Sequence, residues 1–132
     1  MMLLDTHVLV WWISDPEKLP KKIQREIDNC VKHNIQILVS SISIWEIAIL
    51  FKKGKLGSDM DINAWIEKVE SLPFFQFVAV DNTIAAKSVM LVEFSHKDPA
   101  DRIIVATARE YGAVLVTSDR KLLEYKNVQT LW

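Results

Sequence analysis

One cysteine, Cys30, is the whole thiol complement of this 132-residue chain, which excludes both an internal disulfide and a four-thiolate zinc site. Glycine and proline are scarce, with 3 and 4 residues, and no low-complexity tract or linker interrupts the sequence. No apolar run approaches the roughly 18 residues that cross a membrane. Asp5 and His7 break up the first ten residues, which therefore do not read as a signal peptide, and a cytoplasmic protein is expected. Neither sign of charge dominates: 16 Lys and Arg stand against 17 Asp and Glu, for a formal charge of −1. A protein held to nucleic acid mainly by phosphate attraction is thereby disfavoured, whereas an enzyme that handles nucleic acid transiently behind a local basic rim is not. Missing too are a G-x-G-x-x-G or Walker-type loop and a G-x-S-x-G elbow, so hydride transfer, ATP hydrolysis and α/β-hydrolase chemistry lose their usual handles. His7, His33 and His96 match none of the usual zinc spacings with Cys30. His96 reads as a loop residue rather than a general base, and His7, on the first helix, is the histidine placed to touch a site beside Asp5.

Half of the residues are hydrophobic and a quarter charged, the balance of a globular chain, and residues 1–132 read as one domain. Met2–Leu4 is a short first strand and Thr6–Ile13 a largely apolar helix stopped by Asp15-Pro16. After Pro20, Ile23 and Ile27 define the buried face of a second helix. Gln36–Val39 is a strand, and Ser40-Ser41-Ile42-Ser43 offers several caps for a helix over Ser43–Lys53 that stops near Gly54, with Gly57 in the following loop. Asp61–Leu72 is a further helix, Phe75–Val80 a strand and Thr83–Val92 a helix. Asp98-Pro99-Ala100-Asp101 opens the clearest helix, Pro99–Tyr111, which Gly112 ends. Val114–Thr117 and Val128–Leu131 complete the strands. Strands alternating with helical crossovers predict an α/β fold with a parallel sheet covered on both faces.

Four acids lie where such a fold can gather them: Asp5, Glu46, Asp101 and Asp119. Asp5 ends one apolar run and Asp119 closely follows another, so both leave a parallel sheet at its C-terminal edge, where open α/β folds bind ligands. Each acid also has a plainer use. Asp5 can cap the first helix, Ser43 to Glu46 fits an S-x-x-E capping box, Asp98 can cap the helix in which Asp101 is the third residue, and Asp119 can cap a short helix over Arg120–Leu123. The residues sharing the face of Glu46, namely Ile42, Ser43, Ile49 and Leu50, are mostly apolar, so this glutamate is not on a solvated face. Clustered carboxylates raise one another's pKa, and a divalent cation removes that cost. The pattern points to magnesium or manganese. Lys52 and Lys53 follow the Glu46 helix, Arg102 adjoins Asp101 and Arg120 follows Asp119; they serve equally well as solvated flanks or as seats for phosphates.

The segments Leu3-Leu4-Asp5-Thr6-His7-Val8-Leu9-Val10-Trp11-Trp12, Ser43-Ile44-Trp45-Glu46-Ile47-Ala48-Ile49, Gly54-Lys55-Leu56, His96-Lys97-Asp98-Pro99-Ala100-Asp101-Arg102 and Val116-Thr117-Ser118-Asp119 resemble PIN-domain proteins. More narrowly, they resemble the ribonuclease toxins of the virulence-associated protein C (VapC) type from bacterial type II toxin–antitoxin pairs. The motifs keep the family's order and the resemblance runs from Leu3 to Trp132. It implies a three-layer α/β/α fold, a homodimer, a cognate antitoxin and an Mg²⁺- or Mn²⁺-dependent endoribonuclease. On the matching positions, Asp5, Glu46, Asp101 and Asp119 are implied as catalytic metal ligands and Asp98 as a further acid nearer the rim. Thr6, Ser43 and Ser118 are implied as polar neighbours orienting waters or carboxylates. Ala100 stands where Phe is more usual, a departure that touches packing more than chemistry. The competing functions are a structure-specific DNA nuclease or other magnesium-dependent phosphohydrolase, and a non-catalytic binding protein whose acids only cap helices.

Overall fold

The computed structural model describes residues 1–56 and 61–132; the loop position expected for Gly57 lies outside them. The order of elements is β1 (Met2–Leu4), α1 (Thr6–Ser14), α2 (Lys21–Lys32), β2 (Ile37–Ser40), α3 (Ser41–Lys52), α4 (Ile62–Glu70), β3 (Phe75–Val78), α5 (Asn82–Val89), α6 (Pro99–Tyr111), β4 (Val114–Val116), α7 (Arg120–Leu123) and β5 (Thr130–Leu131). The strands form one sheet in the order β3-β2-β1-β4-β5, and every pair is parallel. Among the described residues, no helix is long and apolar enough to cross a membrane.

The sheet is buried on both sides because its central strands carry apolar residues at successive positions. Side chains alternate across a strand, so the two sets separate. Met2, Leu4, Ile37, Val39 and Val116 pack with Val8, Leu9, Ile23, Ile27 and Val69 of α1, α2 and α4. Leu3, Leu38 and Leu115 pack instead with Ile84, Ile104, Val105, Ala108 and Leu122 of α5, α6 and α7. Two cores with a sheet between them make the three-layer α/β/α architecture that the sequence pattern and the resemblance both imply.

Several boundaries differ from expectation for local reasons. Helix α3 begins two residues early, because Ser40 rather than Ser43 is its cap: the Ser40 side chain accepts from the Ile42 amide at 3.2 Å. Ser43 is thereby moved inside the helix and fully buried. The capping box between Ser43 and Glu46 does not form, and both side chains are released for other contacts. The helix expected to reach Val92 stops at Val89, where the Arg102 guanidinium takes the carbonyls of Ser88 and Val89 that another helical turn would have used. The strand expected to reach Val80 ends at Val78, as Asp81 turns the chain and caps α5 through the Ile84 amide at 2.8 Å. Gly112 closes α6 in the left-handed region at φ 61°, as anticipated.

The topology itself points to the site. From β1 the chain moves outward through β2 to β3, then crosses back to place β4 on the other side of β1. Neighbouring strands β1 and β4 therefore send their following loops in opposite directions, which opens a crevice at their C-terminal ends. Asp5 follows β1, and Thr117, Ser118 and Asp119 follow β4.

Candidate metal centre

Asp5 lies at the base of this crevice, 7% exposed. Its Oδ1 accepts from the Thr6 amide at 2.8 Å, so it does cap α1, and its Oδ2 accepts from the Thr117 hydroxyl at 2.6 Å. The two roles coexist because a carboxylate has lone pairs to spare after two hydrogen bonds. Thr117 in turn accepts from the Asp119 amide at 3.1 Å, which ties the two strand-end loops together.

Glu46 reaches the crevice from α3. Thr6 Oγ1 lies 2.6 Å from Glu46 Oε1 and 2.9 Å from Ser43 Oγ. A hydroxyl has one proton to give, so Thr6 donates it to the carboxylate and takes the proton of Ser43. Ser43, Thr6 and Glu46 thus form a relay that fixes the glutamate's rotamer. Asp101 enters from the first turn of α6. Its amide is capped by Asp98 at 3.0 Å, leaving its side chain free of capping duty, and His96 Nε2 sits 2.6 Å from its Oδ2. Asp119 caps α7 through the Lys121 amide at 2.9 Å, and ligand atoms of His96, Asp101 and Asp119 lie within 4.8 Å of one another.

Electrostatics tie these side chains into a single group. Burial pushes the pKa of Asp5 up, against the hydrogen bonds from Thr117 and Thr6, and Asp119 adds to the rise. Burial likewise raises Glu46, and the charges of Asp101, Asp5 and Asp98 raise it further. Asp101 is raised by burial first, with Asp98 and Asp5 contributing and His96 opposing. Among the described residues, no Lys or Arg forms a salt bridge to any of these acids, and the one basic side chain in contact with them is His96, against Asp101. Charge repulsion that is not balanced by Lys or Arg is the state that a divalent cation relieves, and a donor set dominated by carboxylate oxygens suits Mg²⁺ or Mn²⁺. The donor set fits such an ion.

The basic residues expected to bind substrate are distributed differently. Arg102 is not at a rim. Its Nε donates to Ser88 O at 2.8 Å, Nη1 to Phe94 O and His96 O at 2.8 Å each, and Nη2 to Val89 O at 3.0 Å, with the guanidinium 5.5 Å from the Phe94 ring centroid. Four carbonyls take four of its five N–H donors, so Arg102 clamps the loop that carries His96 and has no fork left for a phosphate. Lys52 and Lys53 are exposed at the far end of α3, about 9–10 Å along the axis from Glu46 at 1.5 Å per residue. Arg120 is exposed at the start of α7, next to the cluster. Ser118 is exposed and makes no side-chain hydrogen bond among those described; its neighbour Thr117, fully buried at the end of β4, is the hydroxyl that holds Asp5. Strand alternation carried past Val116 was the available signal for Thr117. His96 falls within a segment that carries the resemblance yet is given no role at the site by the sequence, because its approach to Asp101 depends on a loop that Arg102 folds back.

Comparison with known proteins gives the same outline. The family model described as PIN domain matches residues 2–128. Ribonuclease VapC22 of Mycobacterium tuberculosis is 32% identical, with 99% of this chain and 98% of that protein covered. Among solved structures, VapBC2 from Rickettsia felis, bound to a DNA fragment from its promoter, contains a chain similar in fold at TM-score 0.73 and 20% identity, with 99% and 98% of the two chains covered. FitAcB from Neisseria gonorrhoeae matches at TM-score 0.70 and 20% identity, over 100% of this chain and 97% of that one.

Proposed function

The chain belongs to the PIN-domain family, and from that premise we propose that it is an Mg²⁺- or Mn²⁺-dependent endoribonuclease, the toxin of a type II toxin–antitoxin pair. The observation that carries the reading is the convergence of three raised-pKa carboxylates, the buried Asp5 and the half-buried Glu46 and Asp101, at the strand crossover without a Lys or Arg among the described residues to balance them. RNA as substrate is supported by the relative named a ribonuclease, and a bound antitoxin by the toxin–antitoxin complexes of like fold.

Asp5, Glu46, Asp98, Asp101 and Asp119 would hold the metal, with His96 as a nitrogen donor or as the group that orients Asp101. When bound, the ion would supply an activated water and neutralise charge gathering on the phosphate oxygens. The chain's own residues do the rest. Thr6 and Ser43 fix Glu46, Thr117 fixes Asp5, and the Asp98 cap fixes the turn that presents Asp101. With Asp5 buried at the base of the crevice, a splayed single strand reaches the acids more readily than a closed duplex. A cytoplasmic homodimer completes the proposal; exposed Trp45, Val89, Met90 and Val92 provide apolar surface for a second copy.

Induced expression of the chain alone is expected to arrest growth and fragment cellular RNA, and co-expression with its cognate antitoxin to restore both. An antitoxin Lys or Arg entering the cleft would satisfy the carboxylates as a charge substitute for the metal. Normal growth with intact RNA under confirmed expression counts against the toxin, and broken DNA with intact RNA favours a DNA nuclease.

A further inference from the structure

A groove of about 790 Å³ runs between the loop 93–98 and the segment 121–127 that follows β4. His96 and Asp98 line it, so it opens directly onto the carboxylate cluster. Lys97, Lys121 and Lys126 line it as well, all of them exposed. Glu93 and Glu124 share the groove, yet among the described residues neither forms a salt bridge with any of these lysines. The ammonium groups are therefore uncommitted. The walls carry Glu93, Asp98 and Glu124 against the three lysines, and once the charge of Asp98 is taken up by the metal it is proposed to hold, three positive charges face two negative ones.

The groove is also held in shape. Phe94 stacks on Tyr125 with ring centroids 4.4 Å apart, the Tyr125 hydroxyl donates to Val92 O at 2.8 Å, and Arg102 grips the carbonyls of Phe94 and His96. These contacts fasten one wall to the other, so little loop ordering opposes a ligand that enters.

We propose that this groove is the track for the phosphate backbone of single-stranded RNA on one side of the cleavage point, with Lys97, Lys121 and Lys126 each meeting a phosphate. The inference rests on the nuclease reading and deepens it. The track recognises charge along the strand and not base sequence, because ammonium groups contact phosphates without reading base edges. It also explains how a chain of near-neutral net charge handles RNA: the positive charge is local and adjoins a centre that a metal ion makes less negative.

The test uses the Asp101→Asn chain, so that RNA is bound without being cut, and fluorescence anisotropy of a short labelled single-stranded RNA across a range of salt. Each phosphate contact to a single strand contributes about 0.7 to the slope of log affinity against log salt. Lys97→Gln/Lys121→Gln/Lys126→Gln is expected to make that slope shallower by about 2, so that a tenfold rise in salt costs it roughly 100-fold less affinity than it costs the parent. Lys18→Gln/Lys32→Gln/Lys68→Gln removes the same charge from exposed positions outside the groove and is expected to keep the parent's slope within about 0.5. Equal slopes in the two triple variants overturn the groove, even where the unmodified chain cleaves RNA with Mg²⁺. A slope lost only from the groove variant supports the track, and does so even if the unmodified chain proves unable to cleave, a result that would remove the nuclease reading alone.

Discussion

Asp101→Asn is expected to lower the rate of RNA cleavage by about a thousandfold or more, the equivalent of about 4 kcal/mol of lost transition-state stabilisation, while the thermal midpoint stays level or rises. The stability half of this result follows from what the side chain does. Asp98, not Asp101, caps α6, and an asparagine can still accept from His96 Nε2–H. Burial and neighbouring acids raise the Asp101 pKa, so its charge costs folding energy when no cation is bound. Removing that charge relieves the fold and disables the site, a trade common where function requires strain. Asp61→Asn is the control, since Asp61 caps α4 outside the cluster through the Asn63 amide at 2.9 Å. Asparagine caps nearly as well as aspartate, so this variant is expected to keep both stability and cleavage. If Asp101→Asn melts earlier and cleaves normally, the acid is structural.

Metal and pH are expected to act on stability in opposite directions. Asp5, Glu46 and Asp101 all have raised pKa values, chiefly from burial. In the unfolded chain they titrate near their ordinary values of 3.8 and 4.5, whereas the folded chain holds their protons to higher pH. Their contribution to stability is therefore fullest below the unfolded values and is lost as pH rises through the folded ones. Chelated protein is expected to show that loss above about pH 4. Mg²⁺ or Mn²⁺ at neutral pH is expected to reverse it: a ligand at roughly a hundredfold excess over its Kd stabilises by about 2.7 kcal/mol, or roughly 10 °C for a chain of this size. Asp5→Asn should flatten the pH dependence and diminish the metal response. A melting temperature indifferent to both cations at neutral pH, with an unaltered pH profile in Asp5→Asn, contradicts the linkage.

The general plan was legible because it depends on pattern. Apolar residues at consecutive positions of Met2–Leu4 and Ile37–Val39 require a sheet covered on both faces, and the turn after each strand carries an acid or a serine cap. The acids could be placed at one edge of that sheet because parallel strands all finish on the same side. Contacts that depend on tertiary geometry were less accessible. Several serines could cap α3, and Ser40 is the one that does; the choice among them turns on where the strand ends, one residue later than expected. Arg102 beside Asp101 resembles a phosphate seat on paper, but two carbonyls at the end of α5 and two of the folded-back loop after it take its guanidinium. The same loop brings His96 to Asp101 and aligns Lys97 with Lys121 and Lys126, residues more than twenty positions apart. No local periodicity encodes such an encounter.

The central claim is that the acids of the strand crossover act through a divalent cation, and the most direct measurement is cleavage of labelled single-stranded RNA by the chelated, antitoxin-free chain as Mn²⁺ or Mg²⁺ is added back. The account predicts no cleavage in chelator, recovery that saturates with added metal, and none of that recovery in Asp101→Asn. Undiminished cleavage in chelator, from protein whose Asp101→Asn form purified in parallel is equally active, would contradict it.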